Sequence, residues 1–261
     1  MAAATSSTAR TVEYLIGARD GREAVAPVSE THGELTLEQA YGVQRAVQEA
    51  LERRGERVMG WKVGFTSAAV QESYGVSEPV AAFLLAGGVY GSGDAVPTTR
   101  FKSPGVEVEM AFLLRAPLAG PGVSAASALL AVEGVMPALE LIDFRYTGKP
   151  RGADVVADGV LGNAIVLGRP LTPVSGLDLA LEGVVYEQDG QIVATATGAE
   201  VLGNPLHSLA WLANHLGREG RGLRAGDVVL TGSIAKVLRP VAGDSVRAAF
   251  TRLGSVACRF A

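Results

Sequence analysis

The chain has little cysteine, few aromatic residues and no excess of positive charge. Cys258 is the one cysteine among 261 residues, which excludes an internal disulfide framework. The net charge of −4 gives no sign of the excess of basic residues that is typical of nucleic-acid-binding proteins. No apolar stretch reaches about 18 residues without glycine, proline or a charged side chain, so we expect no segment that crosses a membrane.

The first ten residues also lack the apolar core of a secretory signal peptide. They are rich in alanine, serine and threonine, and we expect residues 1–10 to form a disordered tail. With neither a signal peptide nor a membrane segment in the pattern, the default expectation is a soluble cytoplasmic protein.

What the chain does contain favours a loop-rich globular enzyme, with 48% hydrophobic residues and 33 glycines. Residues 11–57 are predicted to be helical, because Thr36 and Gln39 form a capping box ahead of apolar residues at helical spacing. From residue 58 to the end, short apolar runs alternate with glycine, proline and aspartate. The sequence therefore predicts an α+β fold with a helical N-terminal segment and a β-rich catalytic domain at 58–261.

The β-rich part contains nine short apolar runs, one hairpin signal and one clear helix. Asp189-Gly190 predicts a tight hairpin turn, and Asn204 followed by Pro205 predicts a helix that runs to Gly217. The predicted strands are 58–65, 106–114, 136–143, 163–168, 182–187, 191–197, 227–231, 245–250 and 255–260.

Two glutamates one residue apart mark the most informative of these runs. Glu107 and Glu109 alternate with valine and methionine, so both carboxylates lie on one face of a strand. Two like charges placed in this way repel, and burying either one unpaired is costly. A bound divalent cation would remove that conflict, whereas an exposed edge strand with two acids on its solvent face is the alternative.

A third acidic residue favours a metal site over an exposed edge strand. Glu140 lies between apolar neighbours in another predicted strand, where a solvated face is hard to explain. Three carboxylates form an all-oxygen site suited to Mg²⁺ or Mn²⁺. Zinc is disfavoured because the chain has one cysteine and three histidines.

Lys62 and a strand end supply two further candidates. Lys62 stands between apolar residues and glycines, where loss of hydration would lower its pKa and suit it to proton transfer, while a nearby cluster of carboxylates and metal would complicate that shift. An edge-strand lysine that reaches solvent is the alternative. The apolar run at 227–231 leads into Thr231, Gly232 and Ser233, whose backbone amides could approach a ligand.

Five segments of the chain form a recognisable series. They are Gly60-Trp-Lys-Val-Gly-Phe-Thr-Ser67, Val106-Glu-Val-Glu-Met-Ala-Phe112, Pro137-Ala-Leu-Glu-Leu-Ile-Asp-Phe-Arg145, Ala210-Trp-Leu-Ala-Asn214 and Leu230-Thr-Gly-Ser233. Taken together, they resemble the 2-keto-4-pentenoate hydratase family of the fumarylacetoacetate hydrolase superfamily, which also contains 4-oxalocrotonate decarboxylases. The resemblance covers nearly the whole chain, from about residue 12 to the end, and the motifs occur in the expected order.

The resemblance implies a mixed β-sheet roll, a Mg²⁺ or Mn²⁺ held by Glu107, Glu109 and Glu140, and Lys62 beside the substrate. It also implies a homo-oligomer, with association with another enzyme of the same pathway as a further expectation. The residues expected to contact the substrate are Phe65, Thr66, Ser67, Val80, Arg145, Asp158, Thr231, Gly232 and Ser233.

Two positions depart from the family pattern. Family hydratases often carry Pro-Asp-Phe-Gly where this chain has Pro79 followed by Val80, and Ala-Asp-Asn-Ala-Ser where it has Ala157-Asp158-Gly159-Val160-Leu161. Both changes replace polar pocket candidates with apolar or small groups. The usual substrate is therefore in question, while the three glutamates and Lys62 are intact.

The first functional expectation is a lyase that hydrates a short 2-hydroxy-dienoic acid to a 4-hydroxy-2-oxo acid, as in the breakdown of aromatic rings cleaved at the meta position. The second is decarboxylation of a 2-oxo-enedioate, with Arg145 as a candidate clamp for the second carboxylate; an internal pair of Arg145 with Asp143 is the alternative. An acylpyruvate C–C hydrolase with His32 and Glu34 as its water-activating pair is a third, and a non-catalytic homologue is a fourth.

Overall fold

A computed structural model describes residues 2–261, with side chains from residue 7 onward. Thr36 caps the third helix through the predicted box with Gln39, and Asn204 caps the last helix through the N–H of Leu206, so both predicted helix starts are confirmed. The helices are α1 (Ala2–Asp20), α2 (Val28–Thr31), α3 (Leu37–Arg53), α4 (Ala68–Tyr74), α5 (Ala125–Ala131), α6 (Gly152–Ala157) and α7 (Pro205–Arg218).

All nine predicted strands are present, and β6 begins at Val132 instead of residue 136. The sequence analysis missed the three short strands β2, β3 and β4 and the three short helices α4, α5 and α6. The strands are β1 (Val58–Gly64), β2 (Val80–Leu85), β3 (Val89–Gly91), β4 (Ala95–Val96), β5 (Pro104–Leu114), β6 (Val132–Asp143), β7 (Gly162–Leu167), β8 (Gly183–Gln188), β9 (Gln191–Thr197), β10 (Val228–Leu230), β11 (Ser245–Phe250) and β12 (Gly254–Phe260).

The strands form two mixed sheets. The larger has the order β2-β1-β10-β5-β6-β7-β3, and the smaller has the order β4-β12-β11-β8-β9. Strands β11 and β12 contact β6 and β7 of the larger sheet, and the core of the protein lies between them. The predicted mixed-sheet α+β class is thus confirmed, and the two longest strands, β5 and β6, are central neighbours.

Close approach of two strands depends on one glycine. Strand β1 runs parallel to β10, and Gly60 lies opposite Val228. A Cβ atom at position 60 would lie 1.9 Å from the carbonyl oxygen of Val228, so only glycine permits this pairing. The pairing matters because β10 lies between β1, which carries Lys62, and β5, which carries Glu107 and Glu109.

The N-terminal segment differs from the expected tail. Residues 2–10 continue helix α1, and the alanines of this segment have the highest intrinsic helix propensity, which favours this outcome. The division into a tail, a segment at 11–57 and a domain at 58–261 stays an interpretation of the sequence. Within residues 2–261, no helix is both long and apolar enough to cross a bilayer.

Candidate active site

The three glutamates converge on one face of the β5–β6 pair. Glu107 lies directly opposite Glu140 in the antiparallel ladder, and Glu109 follows two residues further along β5. One carboxylate oxygen from each residue lies within 4.8 Å of the other two. The predicted convergence is confirmed, and it follows from the strand period of two together with this register.

Burial sets two of these carboxylates apart from a solvated acidic surface, while Glu107 is half-buried beside them. Glu109 and Glu140 are 1% and 0% exposed. The backbone N–H of Gly232 donates to Oε2 of Glu109 at 2.7 Å, which aims the side chain. Oε1 of Glu109 and Oε1 of Glu140 have no hydrogen-bond partner among the described residues. Because a buried carboxylate oxygen without a partner lowers stability, these atoms are available to coordinate a cation.

Lys62 reaches the same cluster from β1. Its Nζ lies 2.7 Å from Oε2 of Glu140 and donates to the backbone oxygen of Val160 at 3.2 Å. The side chain is 2% exposed, which excludes the edge-strand alternative. The position results from the order β1-β10-β5, which brings residues distant in sequence into contact.

The local charges shift the pKa of each group. Burial, strengthened by the charge of Glu140, raises the pKa of Glu107 to about 7, although Lys62 acts in the opposite direction. Burial and the two neighbouring carboxylates raise the pKa of Glu109 well above its usual range. Burial alone would lower the pKa of Lys62, but Glu140, Glu107 and Glu109 outweigh it and the pKa is raised. Burial thus acts on the Lys62 pKa in the expected direction, and the neighbouring carboxylates reverse the net shift.

The donor set fits a hard divalent cation. Three ionised carboxylates and one protonated lysine carry a net charge of −2, which one such ion would neutralise. All the available ligand atoms are carboxylate oxygens, the type that Mg²⁺ and Mn²⁺ prefer. The unpartnered oxygens of Glu109 and Glu140 give this conclusion a structural basis independent of the charge count.

A cavity of about 660 Å³ opens over the cluster. Lys62, Glu107 and Glu109 line it, together with four of the predicted substrate contacts: Phe65, Thr66, Ser67 and Ser233. Apolar side chains from α4, α6 and the ends of β6 and β9 supply much of the remaining wall. The cavity thus combines a charged floor with apolar sides, as expected of a site for a small organic acid.

The predicted contacts Arg145 and Asp158 do not line this cavity. Arg145 is 1% exposed, and its Nη1 lies 2.7 Å from both carboxylate oxygens of Asp158. Asp143 lies 3.5 Å from Nε of the same arginine. Because Arg145 is fully engaged inside the protein, its expected role as a clamp for a substrate carboxylate is corrected.

Three other predicted contacts lie beneath the cavity wall. Val80 is fully buried beside Gly64 in the β1–β2 pairing. Thr231 is also buried, and its hydroxyl donates to the backbone oxygen of Met110. Gly232 acts through its amide on Glu109 instead of on the cavity itself. These residues support the site without facing its interior.

The structure also identifies lining residues that the sequence analysis did not propose. Tyr74 stacks on Phe65 with ring centroids 4.6 Å apart, and Val160, Leu161 and Lys236 face the cavity. Tyr74 and Lys236 lie in segments without a recognisable strand or motif, so no pattern indicated them. Val160 and Leu161 were noticed only as departures from the family pattern.

The proposed hydrolase pair is not part of the cavity. The ring of His32 packs at a tilt against that of Tyr14, with centroids 4.7 Å apart, and Glu34 forms an ion pair with Arg151 at 2.8 Å. Neither His32 nor Glu34 lines the cavity, so the acylpyruvate hydrolase alternative loses its catalytic pair.

Gly232→Ala provides a local test of the site. Gly232 has φ of 114°, and a Cβ atom there would lie 2.5 Å from Cγ2 of Thr66. We expect this variant to lose about 1–3 kcal/mol of stability and to bind Mn²⁺ more weakly, because the strained backbone no longer presents its N–H to Glu109. Thermal unfolding and Mn²⁺ titration measure both effects, and Gly243→Ala, at a glycine with φ of 100° and open space around it, is the control. Equal Mn²⁺ affinities in the two variants would contradict the role of the Gly232 amide.

The fold and the site together define an enzyme. Burying a lysine and gathering three carboxylates beside a cavity lowers the stability of the fold, and such groups are typical of catalytic sites. The fumarylacetoacetate hydrolase C-terminal family model matches residues 45–261. The chain belongs to the fumarylacetoacetate hydrolase family.

Relatives within this family have two different activities. The chain is 35% identical to 4-oxalocrotonate decarboxylase of Pseudomonas sp. strain CF600, with 90% of each chain covered. It is 36% identical to 2-keto-4-pentenoate hydratase of Burkholderia vietnamiensis, again with 90% of each covered. The structure of 4-oxalocrotonate decarboxylase from Pseudomonas putida G7, complexed with magnesium and adipate, matches with a TM-score of 0.94, 32% identity and 98% of each chain covered.

Proposed function

We propose that this protein is a Mg²⁺- or Mn²⁺-dependent hydratase that converts a short 2-hydroxy-dienoic acid into a 4-hydroxy-2-oxo acid. The observation that carries the proposal is the ion pair of Lys62 with Glu140, one of three convergent glutamates, beside a cavity that Lys62, Glu107 and Glu109 line. The hydratase and decarboxylase relatives support the substrate class, a 2-oxo acid.

The three glutamates would hold the cation. Glu107 and Glu140 face each other across the strand pair, and the amide of Gly232 fixes the direction of Glu109, so the ligands are positioned before binding. When bound, Mg²⁺ or Mn²⁺ would supply a Lewis acid for the keto oxygen of a 2-oxo acid. The magnesium in the related decarboxylase structure supports this choice of ion.

Lys62 would move the proton. The neighbouring carboxylates keep Nζ protonated, so this atom can donate a proton to C5 of the dienol and take back the proton that the enol hydroxyl releases, which gives the conjugated 2-oxo-3-enoic acid. Water then adds across the C3–C4 double bond, with its hydroxyl on C4 and its proton on C3. Contact with Glu140 and with the carbonyl of Val160 restricts where Nζ points. The substrate carbon chain would lie against the apolar walls formed by residues such as Val160 and Leu161, which limits the access of bulk water.

The direct test is turnover of 2-hydroxypenta-2,4-dienoate in the presence of Mg²⁺ or Mn²⁺, followed by ultraviolet absorbance and product mass. We expect a product that has gained one water, and we expect EDTA to abolish its formation. Absence of any water addition, with metal shown to be bound, would overturn the hydratase proposal for this substrate length.

Metal binding is expected to weaken as the pH falls. The pKa of Glu107 is about 7 without a cation, so below this pH a proton must leave before the carboxylate can serve as a ligand. The apparent affinity for Mn²⁺ should fall by up to about tenfold per pH unit between pH 7 and 5.5. Calorimetric titration at several pH values measures it, and an affinity independent of pH over this range would contradict the raised pKa.

Decarboxylation of a 2-oxo-enedioate is the second candidate, and one residue favours it. Lys236 lines the cavity, is exposed, and has no acidic side chain within ion-pair distance among residues 7–261. It is therefore free to receive the second carboxylate of a dioic acid, the role that Arg145 cannot fill. Release of CO₂ from 4-oxalocrotonate without water addition would favour this candidate.

Lys236→Gln separates the two candidates. For a monocarboxylic substrate we expect kcat/KM to change by less than about threefold, because the amide keeps the shape of the wall. For a dioic substrate the loss should reach about tenfold to a hundredfold, through KM, because a charge-assisted contact is worth about 1.5–3 kcal/mol. Steady-state kinetics on both acids measure these losses. Equal small losses of kcat/KM on the two acids would show that Lys236 does not bind the second carboxylate.

The homo-oligomeric state, the cytoplasmic location and an association with a pathway enzyme remain predictions. Large apolar side chains support a further contact surface, since Leu181 is 70% and Ile192 65% exposed. Light scattering on the purified protein measures the number of subunits.

A further inference from the structure

An unusual left-handed turn forms part of the wall beside Lys62. Three consecutive residues, Gly159, Val160 and Leu161, have φ values of 76°, 53° and 57°. A β-branched residue such as Val160 rarely adopts this region, and holding it there costs about 1–3 kcal/mol. Such a conformation persists only where the surrounding structure enforces it. We call residues 159–161 the strained turn.

Two arginines that do not line the cavity hold the strained turn. Nη2 of Arg145 donates to the backbone oxygens of Leu161 at 3.2 Å and of Gly162 at 3.0 Å. Arg19 donates to the backbone oxygens of Asp158 and Gly162. Four carbonyl contacts thus fix both ends of a turn that three successive positive φ values would otherwise disfavour.

Asp158 in turn fixes Arg145. Both oxygens of the Asp158 carboxylate lie 2.7 Å from Nη1 of Arg145, and both side chains are 1% exposed or less. The pair directs Nη2 of the same guanidinium toward the turn. Because Asp158 immediately precedes the strained turn, its ion pair closes a small ring made of Asp158, the turn and Arg145.

The strained turn presents one atom to the proton-transfer group. The backbone oxygen of Val160 accepts a hydrogen bond from Nζ of Lys62 at 3.2 Å. The side chains of Val160 and Leu161 line the cavity. The buried pair and Lys62 therefore both contact the same short segment.

We propose that Asp158 and Arg145 are positioning residues that act on Lys62 through the strained turn. The pair sets the place of the Val160 carbonyl, which with Glu140 fixes the direction of Nζ. The proposal rests on the proposed function in that it assumes proton transfer by Lys62. Neither residue touches the cavity, so their effect on turnover is indirect.

The first experiment compares Asp158→Asn with the wild-type chain. The amide has nearly the same shape but no charge, so it weakens the hold on Arg145. We expect kcat to fall by about tenfold to a hundredfold, as a small misplacement of a reacting group does, while KM and the Mn²⁺ dissociation constant change by less than about threefold. The three measurements are kcat, KM and Mn²⁺ binding by calorimetry.

Glu182→Gln is the matched control. Glu182 is also fully buried, and it pairs with Arg252 at 3.0 Å near β8, away from the strained turn. Both variants remove the charge of one buried carboxylate, so both should lower the melting temperature. Only Asp158→Asn should lower kcat. Equal effects on kcat would mean that Asp158 has a structural role alone.

Arg145→Lys is a second test of the proposal, to be used if Asp158→Asn does not fold. Lysine keeps the buried positive charge, but a single ammonium group cannot bind Asp158 and two carbonyl oxygens in the same arrangement. We expect the same selective fall in kcat. A kcat within about twofold of wild type in either folded variant would overturn the proposal.

Crystal structures of the variants separate this proposal from the proposed function. We expect the distance between Nζ of Lys62 and the backbone oxygen of Val160 to exceed hydrogen-bond range in Asp158→Asn. An unchanged contact would overturn the positioning role whatever the kinetics show. If the wild-type chain hydrates no dienoic acid, the proposed function fails, and the displaced contact still decides the positioning role.

Discussion

Lys62→Met is expected to reduce kcat by about 10²–10⁴-fold, the usual contribution of a positioned proton donor or acceptor. Methionine fills nearly the same volume, so the packing of β1 is kept while the proton is removed. The Mn²⁺ affinity should be unchanged or higher, because Lys62 no longer competes with the cation for Glu140, 2.7 Å from its Nζ. Steady-state kinetics and calorimetric titration test both parts of this expectation.

The metal-free form of Lys62→Met should also be less stable than the wild type. Loss of the lysine leaves Glu140 buried without the ammonium group that pairs with it, a state that costs several kcal/mol in other proteins. Saturating Mn²⁺ should restore most of this loss. Lys149→Met, at an exposed lysine, is the control and should change neither kcat nor stability. Near-normal turnover of Lys62→Met would end the assignment of Lys62 as the proton-transfer group.

Glu109→Gln is expected to have effects of opposite sign on the free and the metal-bound protein. Glutamine still accepts the N–H of Gly232 but removes one of three crowded charges. Because burial and the neighbouring carboxylates raise the pKa of Glu109 well above its usual range, the charged form is unfavourable in the fold. The melting temperature without metal should therefore stay equal or rise, while Mn²⁺ affinity falls by more than about a hundredfold.

Glu200→Gln is the matched control for this prediction. Glu200 also lines the cavity, but it is exposed and lies outside the group of convergent carboxylates. Its substitution should leave both the melting temperature and the Mn²⁺ affinity unchanged. A similar loss of affinity in both variants would point to a general effect of cavity charge, and unchanged affinity in Glu109→Gln would remove it from the ligand set.

The sequence by itself determined the features that depend on neighbours along the chain. The alternation around Glu107 and Glu109 places both carboxylates on one strand face, and the structure confirms it. The cap residues Thr36 and Asn204 set two helix starts, and Asp189-Gly190, with φ values of 51° and 74°, forms the predicted hairpin turn. These patterns succeed because strand period, capping and turn conformation are local properties.

Only the tertiary structure decided which residues meet and what their charges do. Opposite placement of Glu107 and Glu140 depends on strand register, and the approach of Lys62 depends on β10 lying between β1 and β5. The sign of the Lys62 pKa shift follows from three carboxylates gathered around one ammonium group, which no local pattern contains. Arg145 likewise turned inward to Asp158 because a buried guanidinium needs a carboxylate partner, and only the fold decides which one lies within reach.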